Sequence, residues 1–564
     1  MFLPTTPEEL KKLGWKYADV IIVSGDTYID SYYNGAAVIG KYLQSHGFNV
    51  AIIAQPESDS DIKRLREPKL FWGVTGGSVD SMVANYTALK KRKKSDDLTP
   101  GRKNEKRPDR AVISYTNLIR KNFKNTVPVI LGGIEASLRR VTHYDFWSNK
   151  IRRPIVFNSK ADAVIFGMGE KTALEVAKKI KDNKIWQDTH GLAYISKKLP
   201  EEALELPSYK EVIADKKKFI EMFHLFYKNR DPISANMLAQ KCGDRYLVQN
   251  KPQSFLSESE MDKIYSLNFE RDVHPYYKKM GEVRSMDTIK YSVTTHRGCY
   301  GECNFCSIAL HQSSTVQSRS INSIVKEIKK ISQTKDFKGY ISDIGGPTAN
   351  MYKIECKKKN ERGSCFSKKC LYPSVCKALR PSHKKQIELL KKLKELPGVK
   401  KVFVASGIRY DLVFADNKFG DRYLREVINH HTSGQMKSAP EHIDNKILGY
   451  MGKSSNKEFY KFVEIFKKIN KANNKKQFLT YYFIAAHPGC TEKDMKKLKS
   501  FVSKKLKLTP EQVQIFTPIP STYSTLMYYT EMDPFTGEKI FVEKDPVKKE
   551  KQKKILTAYK SRMH

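Results

Sequence analysis

The 564-residue sequence predicts an α/β protein in which a doubly wound domain precedes a (β/α) barrel, complete or partial. Two observations support this. Short apolar runs alternate with helical segments over about the first 170 residues, and the alternation resumes near residue 290 and continues to about residue 517. We therefore divide the chain into a doubly wound domain (1–195), a helical connecting region (196–285), a barrel (286–540) with a cysteine-rich insertion near 353–380, and a basic tail (541–564).

The first domain contains short apolar runs of the kind that form buried parallel strands. The first run is followed by a helix predicted over 35–46, whose apolar residues have helical spacing and which Gly47 ends. Residues 90–110 are charged and poor in apolar side chains, which predicts an exposed loop. The strand candidates are 18–24, 49–54, 69–74, 110–114, 127–131 and 161–166.

The connecting region is rich in helix formers, with its clearest amphipathic stretch over 211–227. The barrel strand candidates are 291–295, 339–344, 401–405, 432–437, 478–484 and 512–516. Because barrel active sites form at the carboxyl ends of the strands, polar residues just after these runs are the candidate site residues. The Lys-rich end of the chain, 543–564, is predicted to be a helical tail.

Composition indicates a soluble globular protein, with 40% hydrophobic and 29% charged residues. The longest apolar stretches are too short to span a bilayer, and the N-terminus shows no secretory signal, so we expect a cytoplasmic protein without a membrane partner. The formal net charge of +41 has two explanations. It fits either nucleic-acid binding or a general bias toward lysine on solvated faces.

Cysteine usage points to metal ligation. Seven of the nine cysteines lie between Cys299 and Cys376. The odd number, this clustering and the lack of a secretory signal argue against a disulfide framework.

The most specific motif follows the first barrel strand, where residues 294–306 read TTHRGCYGECNFC. Cys299, Cys303 and Cys306 have the spacing C-x3-C-x2-C, which lets one loop ligate three irons of a 4Fe–4S cluster and leaves the fourth iron open. The open iron can chelate S-adenosylmethionine (SAM), and an electron then gives methionine and a 5′-deoxyadenosyl radical. A structural zinc site would need a fourth ligand. With Phe305 before the last cysteine, the pattern is the radical SAM signature.

The motif therefore predicts a radical SAM enzyme that activates a C–H bond of an unknown substrate. The alternative is a non-catalytic, metal-stapled protein that binds nucleic acid through its charge. RNA, protein and small metabolites all remain open as substrates, and the basic charge favours RNA.

The chain also resembles the YgiQ-like family of radical SAM proteins over nearly its whole length, from residues 25–30 to 529–530. The resemblance implies a 4Fe–4S cluster, SAM and an electron donor of the flavodoxin or ferredoxin type, but not a particular reaction. The strings that carry it are 80–87 (DSMVANYT), 132–140 (GGIEASLRR), 143–145 (HYD), 342–350 (SDIGGPTAN), 438–442 (SAPEH) and 487–491 (HPGCT).

Similar barrels bind SAM through a Gly-Gly-Glu turn after the second strand, which corresponds here to Gly345 and Gly346, with Pro347 in place of the acid. Because glycine has no side chain, SAM could approach the backbone of this turn closely. The alternative is an ordinary glycine-rich turn after a strand. Ser406 and Arg409 follow a later strand, where polar groups of similar barrels contact the ribose and carboxylate of SAM. Arg409 could equally form a structural ion pair with Asp411. Phe305 completes the candidate cofactor-binding residues.

Glu441 and His442 follow another barrel strand and are the candidate catalytic residues. They could hold substrate or move protons. A buried structural histidine is the alternative. Cys490 on a later strand-end loop is expected to be a packed thiol.

In the first domain, residues 167–170 (GMGE) look like the Gly-x-Gly-Glu turn of cobalamin-binding domains in other radical SAM enzymes. The Asp-x-His-x-x-Gly signature of His-ligated cobalamin is absent after Asp30. Cobalamin without a protein ligand, a relic of the fold and a substrate-docking domain are the three alternatives.

A second cysteine group comprises Cys356, Cys365, Cys370 and Cys376. This lysine-rich segment has few apolar residues and is not expected to form a hydrophobic core of its own. A metal bound by the four cysteines is therefore expected to stabilise its fold. Four thiolates suit either zinc or an auxiliary iron–sulfur cluster.

Overall fold

The computed structural model describes residues 1–366 and 368–558. These residues form two compact units. The first comprises Met1–Leu256 and Glu260–Lys290, and the second comprises Ser257–Ser259 and the chain from Tyr291 onward. Within the described chain, no helix combines the length and the apolar character needed to cross a membrane.

The first unit is built on a nine-stranded sheet with the order β2-β1-β3-β4-β7-β8-β11-β10-β9. Its strands, together with the separate β5–β6 ribbon, are β1 (Val20–Ser24), β2 (Val50–Ala54), β3 (Phe71–Thr75), β4 (Val129–Gly132), β5 (His143–Asp145), β6 (Lys150–Arg152), β7 (Ala163–Ile165), β8 (Leu192–Ser196), β9 (Leu204–Leu206), β10 (Leu238–Cys242) and β11 (Arg245–Gln249).

The helices up to Lys290 are α1 (Pro7–Lys12), α2 (Gly35–Gln44), α3 (Asp59–Lys63), α4 (Ser81–Asn85), α5 (Ala111–Asn122), α6 (Gly133–Leu138), α7 (Ile155–Ser159), α8 (Glu170–Lys181), α9 (Tyr209–Ala214), α10 (Lys216–Lys228), α11 (Glu258–Ser266), α12 (Pro275–Lys278) and α13 (Met286–Ile289). The charged loop over 90–110 is irregular apart from a short 3-10 turn at Pro100–Arg102.

Strands β1 to β4 and β7 are parallel, which confirms the doubly wound core. All five residues of β1 and of β2 are buried, as continuous apolar runs in a sheet covered on both faces should be. Helix α2 begins where the Asn34 side chain accepts hydrogen bonds from the N–H groups of Ala36 and Ala37.

Two expectations for this unit are wrong. Residues 196–285 are not only a helical connection, because β9, β10 and β11 extend the sheet; a turn at Gly243, with a φ of 76°, joins β10 to the antiparallel β11. Residues 110–114 are not a strand but the start of α5. Val112, Tyr115, Thr116 and Ile119 are buried along α5 at helical spacing.

The second unit carries the predicted barrel. Its strands are β12 (Ser292–Thr294), β13 (His296–Arg297), β14 (Gln317–Ser318), β15 (Tyr340–Ile341), β16 (Asp343–Gly345), β17 (Lys401–Val402), β18 (Gln435–Glu441), β19 (Phe478–Ala485) and β20 (Val513–Ile515). Its helices are α14 (Ile308–His311), α15 (Ile321–Ser332), α16 (Lys357–Arg362), α17 (Lys384–Lys394), α18 (Tyr410–Ala415), α19 (Gly420–His430), α20 (Asn445–Tyr450), α21 (Lys457–Ala472), α22 (Glu492–Phe501), α23 (Tyr523–Thr530) and α24 (Pro546–Thr557).

Parallel pairings link the barrel strands in chain order. β12 pairs with β16, β15 with β17, and β18 with β19 and then β20. Backbone hydrogen bonds from Ile344 to Phe403 and from Val404 to His431 continue the series between these sheets. Helix α15 packs Ile324, Ile328 and Ile331 into the core. The predicted fold class, a complete or partial (β/α) barrel after a doubly wound domain, is confirmed.

The predicted helical tail is present as α24, which Asp545 caps at its N-terminus. The last residues of the predicted tail, 559–564, lie outside the described part of the chain.

Candidate active site

The three cysteines of the signature lie on one loop after β12 and β13, at the carboxyl end of the first barrel strand. Backbone hydrogen bonds fix this loop: the N–H of Cys299 donates to the carbonyl of Ser313 (3.1 Å) and the N–H of Asn304 donates to that of Met451 (2.8 Å). Gly298 opens the loop with a φ of 82°, and a Cβ there would lie 2.2 Å from the Thr315 carbonyl oxygen. Only glycine fits this position.

The loop brings the thiols of Cys299 and Cys303 together at Gly301. A Cβ on Gly301 would lie 3.3 Å from Cys299 Sγ and 3.6 Å from Cys303 Sγ, and the N–H of Gly301 donates to Cys299 Sγ at 3.4 Å. Burial raises the pKa of Cys299 and raises that of Cys306 to about 12, and each neighbouring cysteine adds to the effect. Metal binding would therefore displace protons from these thiols.

Three thiols on one loop are the donor set of a 4Fe–4S cluster that keeps one iron open. In a 4Fe–4S cluster each cysteine ligates a different iron, so the thiolates stand farther apart than around zinc. The common loop of the three thiols is consistent with that requirement, and Arg409 Nη1 lies beside them, 3.3 Å from the position of a Cβ on Gly301.

Arg409 lies over the same loop. Its Nη1 donates to Cys303 Sγ at 3.6 Å, while its Nε donates to Asp411 Oδ1 at 3.0 Å and its Nη2 donates to Asp411 Oδ2. Burial raises the pKa of Asp411, but Arg409 outweighs burial and holds it below its ordinary value. The ion pair with Asp411, one of the two alternatives from the sequence, is thus present, and the remaining guanidinium nitrogen faces a cysteine sulfur.

The Gly345–Gly346 turn is tightly integrated into the barrel. The backbone N–H and the hydroxyl of Thr295 both donate to the Gly345 carbonyl, at 2.7 and 3.1 Å. A Cβ on Gly346 would lie 2.7 Å from three atoms of His296. The Ser406 hydroxyl donates to Asp343 Oδ2 at 2.6 Å. These groups lie at the expected strand ends, and their contact with SAM stays a prediction.

Phe305 and Thr348 complete the surroundings of the loop. Phe305 is partly buried against the barrel core, with its ring centroid 6.4 Å from that of His487. Thr348 Oγ1 lies 3.5 Å from Cys299 Sγ. Sequence reasoning missed Thr348, although its position three residues after the β16 strand end was a usable signal.

Glu441 is the last residue of β18, and His442 follows it directly. Glu441 has a φ of 65°, a left-handed conformation that is unusual for a non-glycine residue, and lies 3.6 Å from Lys453 Nζ. Burial raises the pKa of Glu441, and Lys453 opposes the rise. His442 Nδ1 accepts the Asp444 N–H at 3.0 Å, and burial lowers its pKa to about 4. One ring nitrogen of His442 is thus occupied by Asp444, and catalytic roles for Glu441 and His442 both stay predictions.

The second cysteine group lies in the same unit. Cys356 is buried, Cys370 and Cys376 are half-buried, and Cys365 is exposed. The segment does not form a hydrophobic core of its own, as expected: it packs on a small apolar core to which residues outside the segment contribute most. The members are Tyr300, Val316, Met351, Ile354, Cys356, Leu371, Leu379 and Leu412.

The cobalamin alternative concerns the carboxyl ends of the strands in the first unit's sheet. Open α/β sheets bind ligands where the strand order reverses, which here is between β1 and β3. A Cβ on Gly25 would lie 2.3 Å from the Gly76 carbonyl oxygen, and one on Gly77 would lie 2.1 Å from Asp26 Oδ1. Fully buried Arg107 donates to the Gly25 carbonyl at 3.0 Å and to Asp26 at 2.6 Å. The chain's own groups thus pack closely at the ends of β1 and β3, and the three alternatives for this domain, cobalamin among them, stay predictions.

Comparison with known protein families gives two adjacent matches. Residues 2–292 match a family model described as "Radical SAM N-terminal", and residues 293–502 match one described as "Radical SAM superfamily". Together the two matches run from residue 2 to residue 502 and leave the end of the second unit outside them.

Similar curated proteins extend over the whole chain. A UPF0313 protein of Fusobacterium nucleatum is 60% identical and aligns with 99% of this chain and 98% of its own length. A UPF0313 protein of Thermotoga maritima is 48% identical over the full length of both chains. One from Clostridium botulinum is 44% identical, covering 98% of this chain and 87% of its own.

Among solved structures, the chain is similar to the cobalamin-dependent S-adenosylmethionine radical enzyme OxsB, with a TM-score of 0.51, 12% identity, and coverage of 93% of this chain and 57% of OxsB. It also matches the radical S-adenosylmethionine methyltransferase TsrM from Kitasatospora setae with a TM-score of 0.48, 12% identity, and coverage of 89% and 75%. At this identity the likeness to OxsB concerns the fold alone.

Proposed function

The chain belongs to the UPF0313 family of radical SAM proteins, and from this premise we propose that it binds a 4Fe–4S cluster through Cys299, Cys303 and Cys306 and cleaves SAM reductively. The resulting 5′-deoxyadenosyl radical would activate a C–H bond of a substrate that remains to be identified. The observation that supports the proposal is one loop at the carboxyl end of the first barrel strand that carries all three cysteines and brings the sulfurs of Cys299 and Cys303 to either side of Gly301.

The donor set supports a cluster with one open position. The loop would supply three sulfur ligands. Arg409 is not an iron ligand in this proposal; its Nη1 donates a hydrogen bond to Cys303 Sγ at 3.6 Å. When bound, such a cluster supplies one electron and a coordination site for SAM. The chain's own groups would orient the nucleoside at the strand ends around Gly346 and Ser406.

The electron donor belongs to the same proposal. A flavodoxin or ferredoxin is typically acidic, and a formal net charge of +41 favours encounter with an acidic partner. The same charge supports RNA among the substrate classes.

Reductive cleavage of SAM is the direct test. Protein reconstituted with iron and sulfide without oxygen is expected to form 5′-deoxyadenosine and methionine from SAM in equal amounts when dithionite is added. Mass spectrometry of both products would measure the reaction, with oxidised protein as the control. A reconstituted, reducible cluster that produces neither compound would contradict the proposal.

Arg409 provides a second prediction, because its cation lies beside a cluster ligand and its charge is balanced by buried Asp411. Replacing it in Arg409→Gln should lower the reduction potential of the cluster, since a positive charge and a hydrogen bond to sulfur are both lost. A redox titration followed by electron paramagnetic resonance would measure the change.

The double variant Arg409→Gln/Asp411→Asn is the matched control, because it removes both charges and leaves no unpaired buried carboxylate. Its potential should lie between those of the wild type and the single variant. An unchanged potential together with weaker SAM binding would instead assign Arg409 to the SAM carboxylate.

A further inference from the structure

A pocket of about 470 Å³ lies in the second unit, between the end of the cysteine-rich insertion and the turn from α18 to α19. Three basic side chains line it. Lys377 and Arg380 come from the insertion and Lys418 comes from the turn, and all three residues are exposed. Two segments that are distant in the sequence thus bring three cations to one concave surface.

Asp416 also lines this pocket, and the chain's own donors hold its carboxylate. Oδ2 accepts the backbone N–H of His383 at 2.7 Å and lies 2.9 Å from Nδ1 of the same residue. Oδ1 accepts the N–H groups of Lys418 and Phe419 at 3.2 and 3.0 Å. These contacts keep the carboxylate in the turn, where the three cations outnumber it. The pocket therefore favours an anionic partner.

The pocket lies close to the candidate cluster loop. Arg409, which contacts Cys303 Sγ, directly precedes α18, and Ala415 at the end of α18 lines the pocket. A helix of six residues is about 9 Å long. Cys376 also lines the pocket, and it packs against the same small apolar core as Cys299. One short helix and one small core thus separate the pocket from the candidate ligands.

Hydrogen bonds connect the same two places through the interior. His383, which contacts Asp416 at the pocket, has its Nε2 3.1 Å from Asn350 Nδ2. The Asn350 side chain accepts the N–H of Arg409 at 2.8 Å and donates to its carbonyl at 2.9 Å. His383 and Asn350 are both buried, and Arg409 reaches Cys303. Electron tunnelling weakens steeply with distance and is favoured along bonded routes without water, so this surface suits the delivery of an electron.

We propose that the basic pocket of Lys377, Arg380 and Lys418 docks the acidic, flavodoxin-type protein that reduces the cluster. The inference rests on the proposed function and gives its electron donor a surface. In the transfer, the reduced flavin loses one electron and the oxidised cluster gains it, while no bond forms or breaks and no proton moves. RNA is the other polyanion that the charge could attract, but only an electron carrier needs to dock this close to the cluster ligands.

The test uses reduced flavodoxin as the probe and the variant Lys377→Glu/Arg380→Glu/Lys418→Glu in reconstituted protein. Charge complementarity can raise association rates by about tenfold or more at low ionic strength, so reversing three charges should slow reduction of the cluster by flavodoxin by about that factor. Calorimetry should show flavodoxin binding weakened in parallel. Dithionite is a small reductant that needs no docking surface, and it should reduce the cluster of the variant at the wild-type rate.

Lys329→Glu/Lys330→Glu/Lys471→Glu is the matched control. It makes the same change of charge at exposed residues near the ends of α15 and α21, which precede β15 and β19 at the opposite end of the barrel. Flavodoxin binding and cluster reduction should stay close to the wild type in this control.

Three results would overturn the proposal. They are unchanged flavodoxin binding in the pocket variant, equal losses in the pocket and control variants, and a loss of RNA binding in the pocket variant while flavodoxin binding persists. Wild-type protein whose cluster dithionite cannot reduce would contradict the proposed function instead, and calorimetry with flavodoxin would still decide whether the pocket is the docking site.

Discussion

Alanine substitution of any one of Cys299, Cys303 and Cys306 is expected to reduce the formation of 5′-deoxyadenosine to the level of the protein-free reaction. Three thiols on one loop are the minimum that leaves a single open iron, and losing one releases a second iron or the whole cluster. Since enzymes accelerate their reactions by about 10⁶-fold or more, we expect a loss of at least about three orders of magnitude. Initial rates under dithionite measure it.

The informative control is Cys242→Ala, which removes a buried thiol from β10 in the first unit and should leave turnover unchanged. Iron content should be measured in parallel. If each single variant kept wild-type turnover, the signature loop would not be the site of SAM cleavage. If the variants lost turnover but kept the iron of the first site, the thiols would act in positioning and not in ligation.

The sequence predicted the positions of strands well where apolar runs were bounded by turn residues. The runs that became β1 and β2 were located within about two residues, because a strand buried on both faces leaves a continuous apolar signature. The run that became β19 was located equally well, although its burial alternates along the strand. Residues 110–114 misled the strand assignment because the first turn of α5 is also apolar. Only the burial of Tyr115, Thr116 and Ile119 farther along reveals the helical period.

The sequence predicted the candidate cluster ligands of the site, but not the side chains that contact the loop carrying them. Spacing located the three cysteines, since their chemistry depends on local sequence. The contact of Arg409 with Cys303 spans 106 residues, and that of Lys359 with Glu302 spans 57. Neither follows from a local pattern, because the barrel decides which strand ends become neighbours. Lysine-rich composition also hid Lys359 among solvent-exposed lysines.

The largest effect on stability is expected from Arg107→Met in the first unit. Arg107 is fully buried and pairs with Asp26 at 2.6 Å and with Asp96 at 3.1 Å. Removing the cation leaves two buried carboxylates without their partner, which should cost about 3–5 kcal/mol of the free energy of unfolding. All four tryptophans, Trp15, Trp72, Trp147 and Trp186, lie in this unit, so urea unfolding followed by tryptophan fluorescence reports on it selectively.

Arg120→Met is the matched control, because Arg120 pairs with Asp162 at 2.6 Å but both side chains are partly exposed. Such a surface pair contributes about 1 kcal/mol or less. The triple variant Arg107→Met/Asp26→Asn/Asp96→Asn removes all the charges and should recover most of the lost stability. Equal unfolding midpoints for Arg107→Met and Arg120→Met would show that Arg107 does not hold this edge of the sheet together.

The pH dependence gives an independent check on the same residue. Burial raises the pKa of Asp26, and Arg107 opposes that rise, so the pKa should climb further in Arg107→Met. A carboxyl whose pKa is higher in the folded than in the unfolded state binds protons more tightly when folded, so lowering the pH stabilises the fold relative to the unfolded chain. The stability deficit of Arg107→Met should therefore be largest above neutral pH and shrink as the pH falls through the raised pKa of Asp26. A deficit that stayed constant with pH would indicate that the lost packing of the arginine side chain, and not its charge, is what the sheet edge requires.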